Sequence, residues 1–267
     1  WFGLMEEKTK RCPFCGNGNL KITREMMRPW GFAPRNAESI PDVQLSEEYT
    51  AVQQPLYSTL PEAEEMKLAP GCKNIRIASR TNQRIIMLNK GLDDKGFMVC
   101  KDCGAAMPGD DISVLNDINR PYKSKYARSK CRHSNCFNVN LGYDFITDML
   151  VLEFTIDDKI IDARRNDNPW LNRAAQSLAE ALRLVASKKL DVEFTELVTG
   201  YRLRTGSEAS YVDIYLYDSL SSGAGYAVSV ADAIAELLTD MKELLSSCDC
   251  GSACSKCLKH YRNQYVH

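Results

Sequence analysis

Ten of the eleven cysteines in this 267-residue chain stand in close pairs: Cys12/Cys15, Cys100/Cys103, Cys131/Cys136, Cys248/Cys250 and Cys254/Cys257, with Cys72 alone. Thiolates at such spacings suit one task above others, holding a soft, tetrahedral ion such as zinc. No charged-then-apolar secretory signal opens the chain, so the pairs read as metal knuckles in a reducing, cytoplasmic compartment and not as disulfides. The densest set is Cys248-x-Cys250-x3-Cys254-x2-Cys257, four sulfurs within ten residues. Four thiolates close a tetrahedral shell and leave no open coordination position, which makes the expected site structural and not hydrolytic. Its neighbours Asp249, Gly251, Ser252 and Lys256 are not the composition of an apolar core.

The middle set, Cys100-x2-Cys103 and Cys131-x4-Cys136, has a 27-residue spacer, which suits a ribbon or treble-clef site, with His133 as an alternative fourth ligand. Cys12 and Cys15 lack an obvious pair of partners. A third four-cysteine site needs twelve ligands, and the chain has eleven cysteines. Cys72, a histidine or residues upstream could complete it, or Cys12/Cys15 could join Cys100/Cys103 and leave Cys131/Cys136 elsewhere. The spacing leaves that pairing open, and the expected cofactor is zinc, two ions or three.

Other chemistry is thinly represented. The histidines at 133, 260 and 267 make no Ser/His/Asp arrangement. Asp144, Asp148 and Glu153 invite a metal-dependent nuclease, but strand alternation puts Glu153 on the opposite face from the two aspartates, and no lysine completes the pattern. Ser222–Gly225 could offer backbone N–H groups to a phosphate, yet no Gly-Lys-Ser/Thr follows, and a tight turn with Asp218 as its cap is the plainer reading. The segment 120–133 carries Arg120, Lys123, Lys125, Arg128, Lys130 and Arg132 and no acid. With Tyr122 and Tyr126 it could grip phosphates and stack bases, single-stranded DNA being the expected nucleic acid; otherwise it is a solvated loop beside a metal site.

These residues need elements to position them. Hydrophobic residues at 44% and charged residues at 26% predict a real core, and Lys+Arg 34 against Asp+Glu 35 excludes a strongly basic nucleic-acid coat. No apolar run reaches membrane-span length. Residues 38–65 are acidic and interrupted by Pro41, Pro55 and Pro61, a long connection with one edge strand at most. Alternation over 73–99 predicts a small antiparallel sheet. In the second half, Tyr143–Ile156 with MLVLEFTI predicts a half-buried strand. Asn168 and Pro169 open an amphipathic helix over 169–188, strands follow at 191–203 and 210–217, and a second helix runs from Tyr226 to Ser246. The expected fold class is α+β, a mixed sheet with two amphipathic helices plus zinc-knuckle insertions. A zinc-ribbon-containing region would occupy 1–140, and an α+β domain ending in the four-cysteine knuckle 141–267.

The stretches LGYDFITDMLVLEF (141–154), SLAEALRLVASKKLDVEFTEL (177–197), DIYLYDSLSSGAGYA (213–227) and CDCGSACSKCLKHYRNQYVH (248–267) together resemble one family. It is the cysteine-rich C-terminal domain of superfamily-two DNA helicases, the mitomycin-repair-factor zinc-binding domain. RPWGFAPR (28–35) and VCKDCG (99–104) are similar to the version in bacterial phage-defence systems, the DISARM and Druantia systems among them. The resemblance implies zinc on Cys248, Cys250, Cys254 and Cys257, no chemistry of the domain's own, and a helicase motor as domain or partner. Ser221-Ser222 stands where the family often has Pro-Gly. The chain opens on Trp1 and stops at His267, before the family's usual Leu-Asp-Arg, so it reads as a piece of a longer protein. The expected function is a non-catalytic zinc module that helps an ATP-driven motor engage DNA or assemble, in anti-phage defence or repair. A zinc-held protein–protein scaffold is the second reading, and a nuclease or phosphoesterase using Asp218 a remote third.

Overall fold

The computed structural model describes residues 11, 18–19, 24–29, 54–57, 66–116, 131–157, 169–205, 209–251 and 253–260. Among them, nine strands and three α-helices follow in order: β1 (Glu25–Met27), β2 (Gln54–Tyr57), β3 (Lys67–Leu68), β4 (Ile75–Asn89), β5 (Phe97–Cys100), β6 (Ala106–Pro108), β7 (Cys136–Ile156), α1 (Pro169–Leu190), β8 (Leu197–Thr205), β9 (Ser210–Asp218), α2 (Tyr226–Asp232) and α3 (Ile234–Ser246). All nine strands join one sheet, antiparallel except where β1 runs parallel to β7. The α+β class expected from the sequence is the one observed.

The 21-residue β7 is the spine of the sheet. Along one side it pairs with β4, from Leu141↔Asn89 to Phe154↔Ile75. β5 continues that side over Cys136–Val139, since Val139 has β5 and β1 as its two partners just as Leu141 has β4 and β1. Along the other side β7 pairs with β1 and then β9. The expected strands of 73–99 are therefore present, but β4 and β5 follow one another along one side of β7 and do not pair with each other. The acidic segment contributes one strand, β2, at the sheet edge beside β4. The expected division at residues 140/141 falls inside β7. Asn138, Asn140 and Gly142 give that stretch the composition of a turn, but Phe137, Val139 and Leu141 alternate with them and carry the strand through.

Alternation divides the spine between two cores. Leu150 and Leu152, with Val212, Ile214 and Leu216 of β9, face the helices and meet Leu171, Ala175, Leu182 and Ala186 of α1, Ala227 and Val230 of α2, and Ile234, Leu237 and Met241 of α3. Met149 and Val151 face the other way and pack with Ile85, Tyr215 and Tyr217. Both faces are buried, which is why the run reads as continuously apolar and not as alternating polar and apolar. The second helix expected from the sequence is broken at Ala233 (φ −95°, ψ 9°). The break lets α2 pack on β7 and β4 while α3 turns to lie along α1.

On the face away from the helices, a line of charges crosses four strands. Arg76 pairs with Glu153, Arg204 bridges Glu153 and Asp213, and Arg202 holds Asp213 at 2.6 Å. Glu153 and Asp213 are almost wholly buried. Buried carboxylates need such partners, because an uncompensated charge in a low dielectric is strongly destabilising. Glu153 is thus committed to arginines and is not a nuclease ligand.

Candidate metal centres

The first centre grows from the end of α3. Cys254 and Cys257 lie on a turn closed by the Cys257 N–H and the Lys259 N–H, each donating to the Cys254 carbonyl at 3.0 Å. The Cys254 N–H donates to the Cys257 sulfur at 3.2 Å. Sulfur–sulfur separations are 3.7 Å for Cys248/Cys254, 3.6 Å for Cys250/Cys257 and 3.7 Å for Cys254/Cys257. Four sulfurs each ~2.3 Å from a zinc ion at tetrahedral angles stand about 3.8 Å apart. A disulfide would bring a pair to ~2.05 Å. The donor set therefore fits zinc, with all four sulfurs within 4.8 Å of one another. Leu258, just past the knuckle, is buried in the main core, with Ala253 and Cys257 packed against it. His260 then meets the buried Glu180 of α1 at 3.1 Å and the ring of Phe194 edge-on, while the Arg183 guanidinium lies 3.8 Å over that ring. No local pattern signals this tie, because its members come from α1, the 191–196 turn and the chain beyond the knuckle.

The second centre sits at the β5 end of the sheet. Gly104 (φ +74°) lets the chain reverse after Cys103, and its N–H donates to the Cys100 carbonyl at 2.8 Å. The donor atoms of Cys100, Cys103, Cys131 and His133 lie within 4.8 Å of one another. Cys100 and Cys131 sulfurs are 3.7 Å apart, and the Cys103 sulfur is 3.6 Å from His133 Nδ1. Tetrahedral zinc with Zn–S ~2.3 Å and Zn–N ~2.05 Å sets those two distances near ~3.8 and ~3.6 Å. Cys136 stands opposite Cys100 in the β5–β7 register, outside this group of four, with its thiol 3.0 Å from the His133 carbonyl. Cys12 and Cys15 lie outside the described residues, as do Arg120, Lys123, Lys125, Arg128, Lys130 and the N-cap expected at Asn168. Arg132 is exposed.

The protonation of the thiols matches cation sites. Burial, then the neighbouring Cys131 and Cys100, pushes the Cys103 thiol up to about 12. Burial and the nearby Cys100 and Cys131 raise Cys136 as well. Hydrogen bonds shared with Cys248 and Cys257 push Cys250 up to about 12, while the Cys254 N–H lowers Cys257 to about 7. Burial and shared hydrogen bonds, with repulsion between neighbouring thiolates behind them, hold the protons on Cys103, Cys136 and Cys250; a divalent ion offsets that cost for the thiols it binds and displaces their protons.

The glycine turn is already occupied. Asp218 is fully buried, and its carboxylate accepts from the N–H groups of Ala224 at 2.6 Å, Tyr226 at 3.1 Å and Ala227 at 2.8 Å. This is the capping role expected of it, and it spends the amides a phosphate would need. Gly223 (φ +75°) is required twice over, since a Cβ there would stand 2.3 Å from an Asp148 carboxylate oxygen. Asp144 pairs with Arg84 at 2.8 Å. The three acids considered for a nuclease do not converge. No helix among the described residues is long and apolar enough to cross a membrane.

Comparison with known proteins adds partial matches. Residues 178–258 match MZB, the MrfA Zn-binding domain, as the resemblance read over 142–267 implied. Across 269 aligned residues the chain is 34% identical to Druantia protein DruE of Escherichia coli (strain UMEA 4076-1), a match covering 96% of this chain and 14% of that protein. It is also similar to two crystal structures of the DUF1998 helicase MrfA. One is bound to DNA (TM-score 0.44, 12% identity, covering 79% of this chain and 23% of that one). The other is bound to DNA and AMPPNP (TM-score 0.38, 10% identity, covering 72% and 22%).

Proposed function

We propose, from the premise that residues 178–258 carry a zinc-binding domain of the MrfA type, that this chain is the non-catalytic zinc module of a much longer helicase-type protein. Its work is to brace an ATP-driven motor on DNA or to hold that assembly together, in anti-phage defence or DNA repair. The observation that carries this reading is the closed four-sulfur set whose flanking Leu258 and His260 are built into the helix-bearing core. Metal there holds a surface in shape and offers no open position for substrate. A zinc-held scaffold without DNA contact is the second reading, and the acidic stretch 38–65 favours it.

The test is co-purification of the chain with the remainder of the longer protein, expressed separately, with and without zinc. Complex formation that depends on zinc supports the module. No complex in protein that retains its zinc overturns it. DNA contact is tested separately with single-stranded oligonucleotides at low salt. Charge reversal of Arg120, Lys123, Lys125, Arg128, Lys130 and Arg132 is expected to reduce the salt slope by ~0.7 for each phosphate no longer neutralised. An unchanged slope and affinity would move the scaffold ahead.

A further inference from the structure

We infer that the second centre binds zinc through three thiolates and one imidazole, Cys100, Cys103, Cys131 and His133, and that Cys136 is a positioning residue beside the metal and not a ligand. The inference rests on the reading of this cluster as a metal centre and decides its ligand set. Five donors are present where a tetrahedral ion takes four, so one must be left over.

Three observations choose which. The four donors that group within 4.8 Å include His133 and leave out Cys136. The Cys103–His133 distance of 3.6 Å is the one a sulfur and a nitrogen sharing a zinc would have, ~3.6 Å. His133 is 5% exposed and holds φ at +50°, a conformation uncommon for a side-chain-bearing residue, which turns the chain back two residues after Cys131 and carries the imidazole inward. A solvated surface histidine has no use for either property. The Cys136 thiol lies 3.0 Å from the His133 carbonyl, where it can donate to the backbone of that turn. Cys136 thus holds the peptide that aims the imidazole.

The difference is chemical. Zinc with three thiolates and a neutral imidazole leaves the site with one negative charge fewer than a four-thiolate shell has. It also keeps a free thiol at the rim.

The experiment measures metal content and the cobalt spectrum of the full chain and four variants. Relative to wild type, His133→Ala should lose one equivalent of zinc, and Cys136→Ser, whose hydroxyl can still donate to the carbonyl, should lose none. Cobalt-loaded His133→Cys should gain thiolate-to-metal charge-transfer absorbance equal to one added Co–S bond, with Cys136→Ser unchanged from wild type. Loss of zinc in Cys136→Ser with retention in His133→Ala overturns the inference in favour of a four-thiolate shell. So does a cobalt spectrum that His133→Cys leaves unaltered, which also covers the case in which both single variants lose metal. If Cys100→Ser leaves the zinc content of the wild type untouched, the cluster is no metal centre. That result removes the underlying reading and is recognisable as a different failure.

Discussion

The two metal centres use similar donors at similar distances, yet they stand in unlike surroundings. The C-terminal knuckle is appended to a large core: three helices and the sheet bury nineteen residues in one cluster, and Leu258 reaches into it. Among the described residues, the buried apolar cluster at the β5 centre is Met98, Cys100, Ala105 and Leu115. A cluster that small cannot offset the conformational entropy of ordering its loops, so there a bound ion would replace a core. At the knuckle a bound ion would fasten a segment onto a core that already exists. Similar coordination chemistry would therefore do two jobs, creating local structure in one place and docking it in the other.

The largest effect should come from breaking the docked centre. Zinc binding at such sites carries folding free energy of order ~10 kcal/mol. Cys254→Ser is expected to unfold residues 247–260 and uncover the Glu180 face of α1, read as loss of amide-exchange protection in both places. Cys103→Ser is expected to melt 97–116 while the slow-exchanging amides of α1 and β9 stay protected. If both variants lose protection across the whole sheet, the distinction between the centres is false.

A smaller effect tests whether the core stands without help from either metal. Asp213→Ala leaves Arg202 and Arg204 short of their shared carboxylate in a buried setting. It should cost about 3–5 kcal/mol by denaturant titration while leaving the zinc content unchanged. Smaller again, Asp218→Ala strips the cap from the glycine turn and should cost about 1–3 kcal/mol. A loss of zinc in either variant would show that the core and the centres are not separable.

Acid sharpens the comparison at the knuckle. Without metal, Cys250 keeps its proton to about 12, and Cys257 loses its own near 7. Zinc uptake at pH 8 therefore displaces the Cys250 proton but none from Cys257; below pH 7 it must displace both. Apparent affinity should fall as pH falls, by about tenfold per unit for each proton released, and more steeply below about 7. A competition titration with a chelator of known pH behaviour checks this, and a slope that does not change across pH 7 counts against the Cys257 assignment.

Much of this was legible in the residues. MLVLEFTI, the Pro169 helix start, the turn before α2 and the four-cysteine spacing are local patterns, and local patterns survive without knowledge of partners. The reach of β7 was hidden because Asn138, Asn140 and Gly142 have the composition of a turn, and only pairing with β1, β4 and β5 makes them strand. The break at Ala233 left the apolar spacing of the helix intact, so periodicity passed over it. The Arg76–Glu153–Arg204–Asp213 line joins residues of four strands far apart along the chain, which no local window can see. The position of His133 depended on a backbone angle and not on a spacing.

The buried carboxylate of Asp218 can also be regarded as a tethered competitor. It occupies three amides at the start of α2 at an effective concentration set by the few residues that connect it to them, and such tethers act in the millimolar range or above. A free phosphate ester at micromolar concentration cannot displace it. The turn is thus insulated from nucleotides in the surrounding solution, although its outline is that of a phosphate cradle. Shortening the tethered group, as in Asp218→Gly, would vacate those amides and convert an internal cap into an open anion receptor.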